Sequence, residues 1–499
     1  MTEAREYSDP SVYESHHARF EQEGLPHGQA AWLDRARQVA EILAQDAAQR
    51  DIDNIAPRAE IILLKSAGLL KVLGPTKYGG GGETWETGYK VIREVSKGDG
   101  SIGMLLGYHL LWSTTANVVG TAEQQDSAQQ IIIGNNYFVG GAVNPRDSDL
   151  QITSDGDTLT FDGHKNFNTG GGVSDLTVLE GVLEGTEDHM FTIIKTDQPG
   201  IQFAHNWDSV GLRLTESGSV KIDNVRVPWA DALGWDPETK RPIADVLSIP
   251  FASLLLPTIQ LVFSNFYLGI AQGALDAAAK YTVKGTRPWP FGGDNKDKAS
   301  EEWYILERYG TYRAHLNAAD ALADRAGAET AKVYAEAGQH GSTIIGSDAP
   351  STNGNGYTNG HSFSGSRSAI SARQRGELAT LVASAKVVTT DTGLTVTSGI
   401  FEMLGARATG KKYGFDRYWR DLRTHSLHDP VAYKKREVGV WHLLGEVPEP
   451  TWSSGSPSSS VREIESPLTF GLEALRNIDN QAAAIVAKLE MLPTTEKLL

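Results

Sequence analysis

No cysteine occurs in the 499 residues, which excludes disulfides, thiolate metal sites and a cysteine nucleophile together. Nor is any apolar run unbroken over the length a membrane span requires. The richest stretch, Phe251 to Ile270, is interrupted by Pro257, Gln260, Ser264 and Asn265, and reads as a buried helix. The N-terminus lacks the basic-then-apolar order of a secretory leader, so a cytoplasmic protein is expected. Positive charge is in deficit: the net charge is −16, which argues against phosphate-backbone binding as the main task. No nucleic acid, membrane or metal partner is expected, and no internal repeat is evident.

One segment runs against this balance. Between Gly405 and Arg436, nine Lys/Arg face three Asp. A basic island in an acidic chain serves a small anionic ligand or a subunit contact. Its centre, residues 413–430, holds His425, His428, three arginines and several aromatics. If residues 415–428 are helical, the two histidines share a face, and Asp421 lies one turn before His425, placed to orient its imidazole. Pro430 disfavours helical geometry at Asp429 and should stop the helix there. Paired titratable rings at a helix end suit a reaction site. Arg407, Arg417, Arg420 and Arg423 add an anion-binding character. A surface helix with a His-rich end is the plainer alternative.

The period of the hydrophobic pattern divides the chain into parts. Residues 1–27 read as a flexible arm. Residues 28–139 form a helical domain, with helices expected at 31–50, 55–70, 85–96 and 101–119. Its glycine run at 79–82 lacks the Lys-Ser/Thr ending of a phosphate loop and reads as a turn. Residues 140–240 form a β domain, with strands expected at 150–153, 159–161, 176–179, 190–194 and 219–222. Residues 241–445 return to helices and carry a Gly/Ser/Asn/Thr-rich flexible insertion at 338–371. Residues 446–499 comprise a Pro/Ser-rich linker and an extra C-terminal helix.

This α–β–α order resembles the acyl-CoA dehydrogenase fold: a helical domain, a middle β-barrel and a four-helix bundle. Gly107-Tyr-His-Leu110, Trp207–Ser219 (WDSVGLRLTESGS), Asn265–Ala279, Arg287-Pro-Trp, Gly405-Ala-Arg407 and residues 413–430 resemble the dibenzothiophene monooxygenase branch. The resemblance spans about residues 28–444. It implies a two-component monooxygenase that takes reduced FMN, or FADH2, from a separate NAD(P)H:flavin reductase. Oxygen then forms a C4a-hydroperoxyflavin that oxygenates an apolar small molecule, aromatic or bearing sulfur or nitrogen. The cofactor carries the difficult chemistry.

The resemblance also implies roles by position. Tyr108 lines the flavin and substrate pocket, and His109 beside it is either a second pocket group or a satisfied core histidine. Phe167, Thr169 and Gly141 meet the flavin ring, and Trp207 packs over ring and substrate. Arg287, with Ala406 and Arg407, holds the flavin phosphate, the guanidinium fork matching phosphate geometry. In this fold the arginines serve a neighbouring subunit, which implies a homotetramer. His428 and His425 orient or protonate the peroxide. Asp429 falls near the position where acyl-CoA dehydrogenases carry their base glutamate, and contacts substrate. Two departures stand out: Met104 and Gly141 replace a histidine and an asparagine of the thioether oxygenases. The alternative reading is a dehydrogenase or oxidase with tightly bound FAD and Asp429 as base. A third is an assembly role for the C-terminal helix.

Overall fold

The computed structural model of the chain describes residues 6–144, 149–340, 343–344 and 366–448. The expected C-terminal helix and most of the 338–371 insertion lie outside the described residues. The last residues of that insertion are folded, contrary to expectation. Arg367 donates to the Gly120 carbonyl and the Gln125 side chain, and Ser371 caps the following helix.

Residues 6–27 are likewise not the loose arm expected. Pro10–Tyr13 form a 3-10 turn in which the Asp9 side chain caps the Ser11 N–H, and α1 (Glu14–Glu23) follows. Tyr13 and Phe20, seven residues apart, share a face and are buried. Two aromatic anchors dock an otherwise polar segment.

α2 (Gln29–Leu43) and α3 (Ala47–Asp53) divide the helix expected at 31–50, with non-helical Asp46 between them. α4 (Arg58–Ser66), α5 (Trp85–Gly98), α6 (Gly100–Ser113), α7 (Thr115–Val119) and α8 (Ala122–Gly134) complete this part. Asp99 separates α5 from α6 and caps α6, its carboxylate accepting the Ser101 and Ile102 N–H groups. Every residue of α6 is buried, so its polar members, Tyr108 and His109 among them, must find partners inside the protein.

The middle sheet has seven strands: β1 (Val139–Ala142), β2 (Gln151–Asp155), β3 (Thr158–Lys165), β4 (Leu176–Leu183), β5 (His189–Lys195), β6 (Ile201–Phe203) and β7 (Val220–Pro228). The order is β1-β4-β2-β3-β7-β6, with β5 also on β4. β7 alternates as a half-buried strand does on either side of a break at Asn224 (φ 53°), with Val220 and Ile222 buried before it and Val225 and Val227 after it. β1 and β6 were not foreseen. β1 is Val-Gly-Gly-Ala, too short and small to carry a period, and pairs in parallel with β4.

After α9 (Ala244–Leu247) come the long helices α10 (Leu255–Gly285), α11 (Trp303–Glu336) and α12 (Ala372–Leu404), then α13 (Phe415–His425) and α14 (Val431–Leu444). α10 contains the stretch read as a buried helix. By length and composition it is apolar enough to cross a membrane, yet its most apolar window is 89% buried inside this protein. α13 ends at His425, three residues earlier than the pattern predicted.

α10 crosses α5 with almost no side chain between the backbones. A Cβ at Gly269 would run into the Arg93 carbonyl, and one at Gly273 into the Lys97 carbonyl. Arg93 reinforces the crossing, its guanidinium reaching Asn265, Asp320 and Asp324. Gly273→Ala is therefore expected to destabilise the protein by about 2 kcal/mol through overpacking. Chemical denaturation checks this, and an unchanged midpoint would show that the two helices can separate freely.

Candidate active site

The end of α13 meets the middles of α6, α10 and α12, and there the titratable side chains converge. His425 is buried between two tyrosines. The Tyr108 hydroxyl lies 3.1 Å from Nε2, and the Tyr267 hydroxyl lies 2.7 Å from Nδ1 and 3.0 Å from the His425 carbonyl oxygen. A carbonyl can only accept, so one assignment satisfies all three contacts. Tyr267 donates to the carbonyl and accepts from Nδ1–H, and Nε2 accepts the Tyr108 proton. Burial, aided by His428 and Lys386, pulls the His425 pKa well down and keeps the ring neutral. Burial pushes both tyrosine hydroxyls up, with the Asp429 charge adding to it, so they remain protonated donors.

His428 stacks on His425, ring centroids 5.1 Å apart and planes 10° apart. Its Nδ1 lies 3.2 Å from Asp429 Oδ1. An ionised carboxylate only accepts, so Nδ1 carries the proton of that contact. The same oxygen takes a hydrogen bond from Lys386 Nζ at 2.9 Å, and Nζ also donates to Gln260 Oε1 at 2.7 Å. Phe263 is the common floor: its ring centroid is 4.4 Å from His425, 5.0 Å from His428 and 5.7 Å from Tyr108, with Lys386 Nζ 4.7 Å above it. Burial lowers the Lys386 pKa to about 8 although the Asp429 charge holds it up. Burial also raises the Asp429 pKa, but the His428 hydrogen bond and the Lys386 ammonium outweigh this and hold its carboxyl well below the usual range.

Lys386, Tyr267, Phe263 and Gln260 were not foreseen. The available signal was a lysine among small and apolar residues, Leu381-Val-Ala-Ser-Ala-Lys386-Val-Val388, on a helix buried from more than one side.

Other expectations are corrected. Asp421 does not orient His425. Its Oδ1 accepts the Leu212 N–H at 2.7 Å, and burial raises its pKa to about 7. Arg420 is engaged with Asp51 and Asp416, and Arg417 is buried over the Tyr418 ring, so neither is presented to a ligand. His109 is the satisfied core histidine of the two readings. Its Nε2 faces the Leu70 carbonyl at 2.9 Å and its Nδ1 accepts the Val139 N–H at 3.0 Å. Burial lowers its pKa to about 4.

The pocket wall continues from Tyr108 to Trp112 one turn on, ring centroids 6.0 Å apart. Trp112 Nε1 is buried without a hydrogen-bond partner and points at Gly141, where a Cβ would strike the indole. The Gly141 N–H donates to the Thr169 carbonyl at 3.2 Å, and the Thr169 hydroxyl meets Ser217 at 3.0 Å. Phe167, at φ 58° and 61% exposed, stands edge-on to Trp207, whose indole N–H donates to the Leu212 carbonyl. Met104 is buried on α6. A bare backbone strip, an orphaned indole N–H and exposed aromatic edges fit a flat heteroaromatic ring.

Arg287, Ala406 and Arg407 are exposed at the far end of α10. Arg407 donates to the Gly285 carbonyl at 3.2 Å, so both arginines share one end of the bundle. From Tyr267 to Gly285 the helix rises about 27 Å, which keeps them away from the histidines of the same chain.

Family models match at both ends of the chain: the acyl-CoA dehydrogenase N-terminal domain over residues 27–129 and the C-terminal domain over 363–432. A dibenzothiophene monooxygenase of Rhodococcus erythropolis is 36% identical over 433 residues, 84% of this chain and 94% of that one. The probable FMNH2-dependent monooxygenase SfnC of Pseudomonas putida is 32% identical, covering 84% and 96%. The crystal structure of TdsC from Paenibacillus sp. A11-2 with FMN and indole superposes with a TM-score of 0.73 at 32% identity, over 84% of this chain and 99% of that one. The chain therefore belongs to the acyl-CoA dehydrogenase superfamily and, within it, to the dibenzothiophene monooxygenase family of flavin-dependent enzymes.

Proposed function

We propose that this enzyme takes reduced FMN from a separate NAD(P)H:flavin reductase and uses dioxygen to oxygenate a small apolar molecule, aromatic or bearing sulfur or nitrogen. The observation that carries this over dehydrogenation is the state of Asp429. A dehydrogenase base must accept a proton from carbon, whereas the Asp429 carboxylate is committed to Lys386 and His428 and is held far below the usual range. So acidic a group is a poor proton acceptor.

The strip formed by Trp112, Gly141, Thr169, Phe167 and Trp207 would hold the isoalloxazine, and FMN in the related TdsC supports this. When bound, the reduced flavin supplies the electrons that activate dioxygen. The chain's own residues exclude water with Tyr108, Phe263 and Trp112 and present an acid–base group, His428, at the edge of the cleft. Tyr108, through its contact with neutral His425, keeps one hydroxyl fixed on the pocket wall. Asp429 and Trp207 border the substrate.

Arg287 and Arg407 would hold the phosphate of a neighbouring subunit's flavin, the enzyme working as a cytoplasmic homotetramer. Replacing either by Ala is expected to weaken FMN binding about tenfold or more, the loss of one charge-assisted hydrogen bond. Flavin fluorescence titration measures this, and an unchanged affinity removes the phosphate role from that residue.

The direct test supplies purified enzyme with reduced FMN, isotope-labelled dioxygen and a panel including dibenzothiophene and indole. Incorporation of one labelled oxygen atom into a product supports the reading. An unsaturated acyl product without label, from enzyme purified with FAD, would replace it with the dehydrogenase.

A further inference from the structure

Lys386 has a side chain with 0% exposure in the middle of α12. A buried ammonium is costly, and an apolar residue of similar size would pack there more cheaply. Its surroundings are nonetheless arranged around it. It donates to Gln260 from α10 and to Asp429 from the turn after α13, and lies 4.7 Å above the Phe263 ring and 5.8 Å from that of Tyr267. The nearest charges of α14, Lys434 and Glu437, pair with each other at 2.7 Å, which leaves Asp429 as the counter-ion of Lys386. The other titratable neighbours are His425 on α13, Tyr267 on α10 and Tyr108 on α6. Lys386 and His428 bind the same oxygen of Asp429.

From this geometry we infer that Lys386 is a positioning residue: its ammonium locks the Asp429 carboxylate against His428 Nδ1, so that His428 turns its other nitrogen, Nε2, to the cleft. The inference rests on His428 being the acid–base group proposed above. Within the Lys–Asp–His series the cation also moderates the carboxylate. With Lys386 in place, the Asp429 charge is divided between two donors.

The test is carbethoxylation of His428, which is 48% exposed, followed by mass spectrometry as a function of pH. Only neutral imidazole reacts, so the midpoint of modification reports its protonation. In Lys386→Met the undivided Asp429 charge is expected to move that midpoint upward by about one unit, and Lys386→Arg is expected to restore it. His425 is buried and serves as the sentinel. Should the Met variant misfold, His425 becomes labelled, and Lys386→Gln takes its place with the same shift expected. A wild-type midpoint in a folded Met or Gln variant, His425 still protected, would overturn the inference and leave Lys386 as a structural tie. The labelling needs neither flavin nor substrate. A shifted midpoint in an enzyme that oxygenates nothing would therefore count against the proposed function and not against the placement of Lys386.

Discussion

His428→Ala should lower product formation by about two orders of magnitude or more, the usual worth of a general acid–base group, while leaving thermal stability nearly unchanged. The two halves of this expectation have separate causes. The ring is half exposed, and its one side-chain hydrogen bond goes to an Asp429 that keeps Lys386. Truncating it opens no cavity and strands no buried group, so the stability change should stay within about 1 kcal/mol. What it removes is the only ring of the cluster with a nitrogen free of a tyrosine or carboxylate contact. His425 cannot take over, because both its nitrogens are occupied by Tyr108 and Tyr267. Initial rates with saturating reduced FMN, beside a melting scan, measure both halves. A rate within tenfold of wild type would pass the role to Tyr108.

Asp429→Asn should do the reverse, acting first on stability. The Lys386 pKa is about 8 in the folded protein against 10.5 for an ordinary lysine. Between those values the unfolded chain binds the extra proton, so stability rises with pH. Below about pH 8 the buried ammonium already costs roughly 3 kcal/mol. Removing its counter-ion adds a penalty of about 3 kcal/mol near neutrality. Above the folded pKa the lysine is neutral in both proteins, and the difference between them narrows. Urea titrations at about pH 7 and about pH 9 should therefore give a larger loss at the lower pH. The Asp429 carboxyl itself titrates far below this window, its folded pKa being depressed. A loss equal at both values would mean that Asp429 acts through the shape of the turn before Pro430 and not through charge.

The helical, β and helical divisions were legible because they rest on local periodicity, which needs no knowledge of the partner surface. The histidine-bearing segment was legible from the clustering of unlike residues. Its details were not. Whether His425 answers to Asp421 or to two tyrosines depends on α6 and α10, which arrive from 317 and 158 residues away. Asp421 is claimed instead by the Leu212 backbone, 209 residues away. Lys386 looks like any polar interruption of a helix until α10 and the turn after α13 close over it. The N-terminal segment was misread for a different reason. Tyr13 and Phe20 stand at helical spacing, but two anchors among polar neighbours carry too little weight in composition to outvote their surroundings.

The bare crossing of α5 and α10, with the Arg93 fan beside it, bears on how the enzyme can be recombined. Gly269, Gly273 and Asn265 belong to the C-terminal bundle, while the backbone the two glycines meet and the Arg93 guanidinium that Asn265 accepts belong to the N-terminal helices. A chimaera joined at the β domain would pair an α5 from one parent with an α10 from another, and any residue larger than glycine at the crossing would force the halves apart. The two helical regions thus form one cooperative unit, which should open together in hydrogen exchange. Donor segments for grafting new specificity must therefore carry α5 and α10 as a matched pair.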